Sequence, residues 1–316
     1  MKKIVAVGVG LIMLYVVGIY SFSPERVFKM AEMGERHIAG LVKNEIQVDD
    51  HTIVYLEGGK GQAILLLHGF GGNKYLWIRF ARYLTGDYHV VIPDIAGFGE
   101  SSQMPQETYD AETQVKRIDR FMQELKLEKF HVAGNSMGGL LAAMYGATYL
   151  EKVMTLSLLA PAGVDSPKPS AMALLLQKGT NPLLAGSSDE YERLLNLCFV
   201  KQPFIPSQFK KLLVADAIAH RKFDEKIWND MKLHRASDGS FSPESLLDSF
   251  LPKIQAPVLI VWGDADRILD VGGAAVLEKK LKNCRTVVMK ETGHMPMLEK
   301  PKEAASLYVG FLKGTR

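Results

Sequence analysis

The chain contains only two cysteines among its 316 residues, which excludes a framework of several disulfides. We expect Cys198 and Cys284 to be separate thiols, although a single bridge between them would also fit the sequence. No cluster of residues has zinc-ligand spacing, and there is no P-loop and no G-x-G-x-x-G after the first predicted strand. We therefore predict no metal and no cofactor. A net charge of only +3 is too small to indicate a nucleic-acid partner.

Residues 134–138 read GNSMG and form the most informative segment of the chain. An apolar, strand-like run precedes them at 130–133, and a helix-like run follows at 140–145. A serine at the apex of a sharp turn between strand and helix exposes its hydroxyl to a substrate, and the flanking glycines allow that turn. The order of strand, turn and helix therefore makes Ser136 a candidate nucleophile.

Four other predicted strands end in glycines or in chemically reactive side chains. The segments are 65–67 followed by HGFGG, 90–92 followed by Asp94, 258–262 followed by Asp264 and Asp266, and 286–289 followed by His294. Open α/β sheets place their sites at the carboxyl ends of their strands. The serine, the aspartates and the histidine also occur in the chain order that is typical of the α/β-hydrolase arrangement.

From about residue 44 to its end, the chain resembles the α/β-hydrolases of the lipase and esterase kind. Five motifs carry the resemblance, in the order HGFGG, DxxGFGxS, GNSMGG, GDxD and GHxPxxExP. More narrowly, the chain is similar to membrane-associated monoacylglycerol lipases and related bacterial lipases. It departs from them at Ala96, where proline is common, and this position affects loop stiffness rather than chemistry. The resemblance implies an α/β fold with a mostly parallel central sheet flanked by helices.

Catalysis by a serine hydroxyl needs a base within hydrogen-bond reach and a partner that orients the base. The resemblance implies Ser136 as nucleophile, His294 as general base and then acid, and Asp266 as the orienting acid. His294 is the histidine that follows both the acid and the last predicted strand. The family pattern G-x-x-D selects Asp266, and Asp264 and Asp270 are the alternatives after the same strand.

The resemblance also implies an oxyanion hole made of the backbone N–H groups of Phe70 and Met137. Met137 directly follows the candidate nucleophile. Phe70 lies in the HGFGG loop at 68–72, whose glycines allow the backbone to approach a substrate closely. We interpret His68, at the start of this loop, as a structural residue.

The segment 164–252 differs from the rest of the chain because prolines separate short helix-like runs. These runs cover 172–176, 191–199, 209–218 and 223–231. Because the segment starts just past the end of a predicted strand, we predict a helical cap over the active site. The cap is inserted into a hydrolase core at 44–163 and 253–316. A helical decoration without substrate contact is the alternative.

The one long uncharged run lies at the N-terminus, where Lys2 and Lys3 precede residues 4–22. Its helical length is close to the ~30 Å of a bilayer core. We therefore predict a membrane anchor at 1–23 and an amphipathic linker at 24–43; a cleaved signal peptide and a buried helix are the alternatives. With the lysines inside, the resemblance to bacterial lipases implies an inner-membrane protein with its catalytic domain on the periplasmic or outer side. Signal cleavage would instead give a secreted protein.

Together these patterns predict a serine carboxylic-ester hydrolase, similar to lipases and monoacylglycerol lipases, that forms an acyl-serine intermediate. A serine at the elbow argues against the relatives that use a carboxylate nucleophile. The predicted partners are an acyl ester or monoacylglycerol substrate and, through the N-terminal helix, membrane lipid. Two other interpretations stay open, a carbon–carbon bond hydrolase of ring-cleavage products and a non-catalytic binding module.

Overall fold

The computed structural model describes residues 23–231 and 247–315. The predicted membrane anchor at 1–23 falls almost wholly outside these residues, and so does part of the predicted cap, at 232–246. Within the described ranges, no helix is both long enough and apolar enough to cross a membrane.

Eight strands form one sheet through the middle of the molecule. The strands are β1 Leu41–Val48, β2 His51–Gly58, β3 Gln62–Leu67, β4 Tyr88–Pro93, β5 Phe130–Ser136, β6 Val153–Pro161, β7 Val258–Gly263 and β8 Cys284–Met289. Their spatial order is β1-β2-β4-β3-β5-β6-β7-β8. The pairs β1–β2 and β2–β4 are antiparallel, and the other five pairs are parallel. The predicted mostly parallel central sheet is therefore confirmed.

Strand β3 shows why helices cover both faces of this sheet. Ala63, Leu65 and Leu67 pack into one core cluster, whereas Ile64 and Leu66 pack into a second cluster on the opposite face. A strand whose successive side chains are apolar has to be covered on both sides. The helices are α1 Pro24–Ile38, α2 Ile78–Ala81, α3 Ala111–Glu124, α4 Met137–Thr148, α5 Ala171–Gln177, α6 Ser188–Cys198, α7 Ser207–Met231, α8 Gly272–Lys280, α9 Pro296–Glu299 and α10 Pro301–Gly314. Helices α3 and α4 cover one face, and α2 and α10 cover the other.

Helices α5, α6 and α7 lie between β6 and β7, in the segment where we predict the cap. We predict separate helical runs at 209–218 and 223–231. This prediction is wrong, because the single helix α7 spans Ser207–Met231. The intervening residues 219–222 contain no glycine and no proline. Nothing in the local sequence therefore ends the helix between the two runs.

The predicted linker at 24–43 is helical only over its first part. Helix α1 ends at Ile38, and Gly40 follows with a φ of +65°, a conformation that glycine adopts without strain. Strand β1 then begins at Leu41, so the predicted linker extends three residues too far. Strands β1 and β2 form an antiparallel hairpin.

Candidate active site

Ser136 lies at the end of β5 and immediately before α4, on the turn that the sequence predicts. Its φ of +56° is unusual for a residue with a side chain and marks a strained turn. A Cβ added at Gly134 would lie 2.1 Å from the carbonyl oxygen of Gly138, and one added at Gly138 would lie 2.3 Å from that of Leu67. Both positions therefore require glycine, because the two strands and the helix start approach too closely for a side chain.

Asp266 and His294, which follow β7 and β8, form a buried hydrogen bond. The Nδ1 atom of His294 lies 2.8 Å from Oδ2 of Asp266, and the aspartate side chain is fully buried. The other carboxylate oxygen accepts the N–H groups of Ile268 at 2.8 Å and Leu269 at 3.0 Å. These bonds fix the carboxylate and assign the imidazole proton to Nδ1, so that Nε2 carries the lone pair that can accept a proton.

The two alternative acids after β7 have other partners. Asp264 lies 3.6 Å from Nζ of Lys290, and Asp270 accepts the hydroxyl of Ser166 at 2.8 Å. Of the three candidate acids, Asp266 is therefore the one whose carboxylate is bonded to the histidine in the described structure.

Asn135 is a residue of this site that sequence reasoning missed. Its Nδ2 atom donates to the main-chain oxygens of Leu159 and His294, both at 3.0 Å. The N–H of His294 in turn donates to the carbonyl of Cys198 at 2.8 Å. The side chain next to Ser136 therefore holds the loop that carries the histidine. No local pattern could reveal this contact, because the two partners are 159 positions apart in the chain.

The loop after β3 passes beside the candidate nucleophile. A Cβ added at Gly69 would lie 3.2 Å from the Cβ of Ser136, so the loop backbone adjoins the serine side chain. The backbone N–H groups of Phe70 and Met137 have no hydrogen-bond acceptor within the described part of the chain. Two such N–H groups near a nucleophile can stabilise a developing oxyanion.

Two buried side chains bracket this loop and tie it to one point after β4. The Nε2 atom of His68 accepts the N–H of Ile95 at 3.0 Å, and its Nδ1 donates to the carbonyl of Gly69 at 2.8 Å. Burial lowers the pKa of His68, which keeps the ring neutral and able to accept. At the other end, Nζ of Lys74 lies 2.6 Å from Oδ2 of Asp94. Sequence reasoning also missed Lys74, which together with His68 fixes both ends of the loop.

Ser136 opens into a cavity of two chambers that meet at the serine. Residues of the predicted cap segment, Leu183 among them, line both chambers, so this segment and the sheet enclose the cavity together. Cys198 lines the larger chamber, but burial raises the pKa of its thiol to about 12, and the thiol therefore stays protonated. Both cysteines are free thiols, as the sequence predicts.

Comparisons with known proteins agree with this geometry. Residues 62–301 match the family described as the alpha/beta hydrolase fold. Lipase 1 of Psychrobacter immobilis is 32% identical over 281 residues, which cover 85% of this chain and 85% of the lipase. Monoacylglycerol lipase ABHD6 of Homo sapiens is 30% identical over 289 residues, which cover 88% of this chain and 84% of that protein.

A solved structure is similar over the whole length of the chain. It is described as a membrane phospholipase A and a bacterial virulence factor, and it superimposes with a TM-score of 0.88. The two sequences are 39% identical, and the alignment covers 100% of this chain and 99% of that one. The family match and these similarities lead to one assignment: this chain belongs to the α/β-hydrolase family and is a hydrolase related to lipases.

Proposed function

We propose that this protein is a serine carboxylic-ester hydrolase that cleaves lipid-derived acyl esters through an acyl-serine intermediate. The observation that carries the proposal is the buried hydrogen bond between Asp266 and His294, because His294 and Ser136 line the same cavity. A serine hydroxyl becomes a strong nucleophile when a neighbouring base takes its proton, and here a carboxylate already orients the candidate base. The lipase and monoacylglycerol lipase relatives support an ester as substrate.

In the first half-reaction, Nε2 of His294 takes the proton of the Ser136 hydroxyl while Oγ attacks the ester carbonyl carbon. The N–H groups of Phe70 and Met137 stabilise the negative charge that develops on the carbonyl oxygen. The carboxylate of Asp266 stabilises the imidazolium. When the tetrahedral intermediate collapses, the imidazolium donates its proton to the alcohol oxygen, the carbon–oxygen bond breaks, and the acyl group stays on the serine.

In the second half-reaction, water takes the place of the alcohol. His294 removes a proton from the water while the water oxygen attacks the acyl carbon. The imidazolium then returns a proton to Oγ of Ser136, and the carboxylic acid leaves. Each turnover therefore consumes one ester and one water, and it yields one acid and one alcohol.

The lining of the cavity argues against a carbon–carbon bond hydrolase of acidic ring-cleavage products. Such a substrate needs a fixed cation deep in its pocket. The chambers have one lysine and one arginine among their described lining residues, Lys168 and Arg221, and both are exposed. Most of the remaining lining is apolar, which suits an ester with apolar parts.

We further propose that residues 1–23 anchor the protein in a membrane, with the catalytic domain outside the cytoplasm. The support is the sequence itself, in which two lysines precede an uncharged run of nearly bilayer length. Fractionation of cells that express the full chain tests this. Full-length protein in the membrane pellet, released when residues 1–23 are deleted, is the expected result. Full-length protein in the soluble fraction contradicts the anchor, and a shortened protein in the medium indicates signal cleavage instead.

Ser136→Ala tests the central role of the serine. Hydrolysis of p-nitrophenyl butyrate and labelling by a fluorophosphonate probe are the two measurements. Ser157→Ala is the matched control, because Ser157 is a buried serine on the adjacent strand whose hydroxyl has no hydrogen-bond partner in the described structure. We expect Ser136→Ala to lose about 10³-fold or more of kcat/KM together with its label, and Ser157→Ala to keep both. Undiminished turnover by a folded Ser136→Ala variant would overturn the proposal.

A further inference from the structure

The two chambers that meet at Ser136 have different walls. Met137, Trp262 and the segment after β6 line the smaller chamber. His294, the loop after β3 and the helices α6 and α7 line the larger chamber. Both chambers share Ser136 and Phe70. An ester whose carbonyl carbon lies at the serine therefore places its acyl group in one chamber and its alcohol in the other.

The position of His294 decides which part of the ester enters which chamber. General acid catalysis delivers the imidazolium proton to the alcohol oxygen, so this oxygen has to lie on the histidine side of the serine. His294 lines the larger chamber. It is not among the described residues that line the smaller chamber. The alcohol therefore extends into the larger chamber, and the acyl chain extends into the smaller one.

The two chambers differ greatly in size, with cavity volumes of about 60 Å³ for the smaller and about 290 Å³ for the larger. A water-sized group needs about 10–15 Å³ of such volume, so the smaller chamber holds about four to six carbon-sized groups and the larger about twenty to thirty. Two tryptophans fix the smaller chamber. Trp262 donates its indole N–H to the carbonyl of Leu269 at 3.0 Å, and Trp228 packs edge-on against Phe70 with ring centroids 5.5 Å apart.

One face of α7 lines the larger chamber at helical spacing. Leu213, Ala217, His220 and Asp224 recur every three or four residues along this face, and Trp228, one turn further, lines the smaller chamber. At 1.5 Å per residue, Asp224 lies about 6 Å along the helix from Trp228, and Leu213 lies about 22 Å from it. The larger chamber therefore combines apolar walls with a polar position within one helical turn of Trp228.

Of the two polar side chains named on this face, Asp224 is the one without a hydrogen bond to another described residue. Its carboxylate accepts no hydrogen bond from another residue in the described ranges. His220, one turn away, is held at Nδ1 by the carbonyl of Asp216, 2.9 Å distant. Burial raises the pKa of Asp224 to about 6, so the group is mostly ionised at neutral pH and can accept a hydrogen bond from a substrate. A hydroxyl group on the substrate would supply one.

We infer that the preferred substrate joins a short acyl group, of about four to six carbons, to a large amphiphilic alcohol that carries a hydrogen-bond donor for Asp224. The inference rests on the proposed function, because it assigns the two sides of an ester bond cleaved at Ser136. It goes further by giving the two chambers opposite preferences. The acyl side is small and apolar, and the alcohol side is large and partly polar.

A pair of isomeric esters tests the assignment of the chambers. Decyl butyrate and butyl decanoate have the same formula and differ only in which side of the ester bears the long chain. Both are presented to the full chain in the same detergent dispersion. We expect a kcat/KM about tenfold or more higher for decyl butyrate, because a decanoyl chain exceeds the smaller chamber. Equal values, or a preference for butyl decanoate, would overturn the assignment.

The same assay separates a failure of this inference from a failure of the proposed function. Hydrolysis that disappears in Ser136→Ala supports the serine esterase, whichever isomer is preferred. Cleavage of p-nitrophenyl butyrate without cleavage of decyl butyrate contradicts the inference alone. If no ester is cleaved and the fluorophosphonate labels no serine, the proposed function fails, and the inference fails with it.

Asp224→Asn tests the polar position, and Glu225→Gln, at an exposed neighbour on α7, is its control. The substrates are monobutyrates of α,ω-diols of four to ten carbons, each compared with the alkyl butyrate of equal length. In the native protein we expect one length at which the hydroxyl ester is favoured in kcat/KM. Asp224→Asn should reduce that advantage roughly tenfold, while Glu225→Gln leaves it intact. An unchanged advantage in Asp224→Asn would overturn the role of this carboxylate.

Discussion

Lys74 and Asp94 form a completely buried ion pair, with Nζ 2.6 Å from Oδ2 and neither side chain exposed. Removing two charges from water costs several kcal/mol per ion, and further hydrogen bonds have to offset that cost. The carboxylate of Asp94 also accepts the N–H groups of Lys74 at 2.7 Å and Glu100 at 2.8 Å. This cluster fixes one end of the loop that carries Phe70, so an ion pair remote from the reacting atoms supports a candidate oxyanion donor.

Replacing Lys74 should destabilise the fold strongly, because the carboxylate of Asp94 would stay buried without a cation. We expect Lys74→Met to lower the free energy of unfolding by about 3–5 kcal/mol. Lys43→Met is the matched control, because Lys43 forms an exposed ion pair with Glu100. The side chain of Lys43 is 40% exposed and that of Glu100 is 44% exposed. That variant should lose less than about 1 kcal/mol. Urea unfolding measures both values, and similar losses would contradict the account of the buried pair.

Asp266→Asn should impair turnover while the protein stays folded. The amide oxygen can still accept the N–H groups of Ile268 and Leu269, but an amide does not stabilise the imidazolium and no longer assigns its tautomer. We expect kcat to fall by about 10³- to 10⁴-fold with little change in KM. Asp264→Asn alters the other acid of the GDxD motif and should leave kcat close to native. Steady-state kinetics measure kcat for both variants. An equal fall in kcat in the two variants would refute the assignment of Asp266 as the acid.

Two glycines of α4 should respond in opposite directions to alanine. A Cβ at Gly138 would lie 2.3 Å from the carbonyl oxygen of Leu67, whereas one at Gly146 would meet only Cδ2 of Leu156, at 3.5 Å. We expect Gly138→Ala to lose about 2 kcal/mol or more of stability together with most activity. Gly146→Ala should gain about 0.5–1 kcal/mol from the better helix propensity of alanine. Urea unfolding compares them, and equal stabilities would show that the close approach at the elbow relaxes freely.

Asp224 should make stability depend on pH in a predictable direction. Burial raises its pKa to about 6, from about 3.9 in an unfolded chain. The neighbouring His220 lowers this pKa and Asp216 raises it, both by less than burial does. The folded state holds this proton more tightly than the unfolded state, so its contribution to stability is lost as pH rises from about 4 through 6.

Asp224→Asn removes that titration. The variant should therefore gain stability relative to the native protein as the pH is raised from about 4 to 7. Glu225→Gln should show no such trend. Urea unfolding at a series of pH values gives the comparison, and a difference between Asp224→Asn and native protein that stays constant with pH would contradict the expected shift.

Local motifs explain why the candidate chemistry could be predicted from the sequence. Ser136, Asp266 and His294 each follow a strand-like run, and parallel strands bring their carboxyl ends to one edge of a sheet. The central strands were predictable because they are short and mostly apolar. Asn135 and Lys74 had no comparable signal. The partners of Asn135 are distant in the chain, and a lysine next to a glycine loop gives no sign that it is buried.

The segment between β6 and β7 was harder to predict in detail because part of its longest helix lines a cavity instead of packing into a core. The inner face of α7 mixes leucine, alanine, histidine and aspartate, so the apolar periodicity that marks a core-facing helix is weak across 219–222. Two separate helices were therefore predicted where one continuous helix exists.

The continuity of α7 has a consequence for how this enzyme could diversify. Its 25 residues form a single rigid body whose side chains reach both chambers. A tilt of that body about a point between Asp224 and Trp228 moves these two positions in opposite directions, so that extra room in one chamber comes with less room in the other. Paired substitutions one helical turn apart, at positions such as 224 and 228, would therefore alter the preference for both parts of the substrate together. A tilt of α7 of this kind therefore couples the sizes of the two chambers instead of changing either one alone.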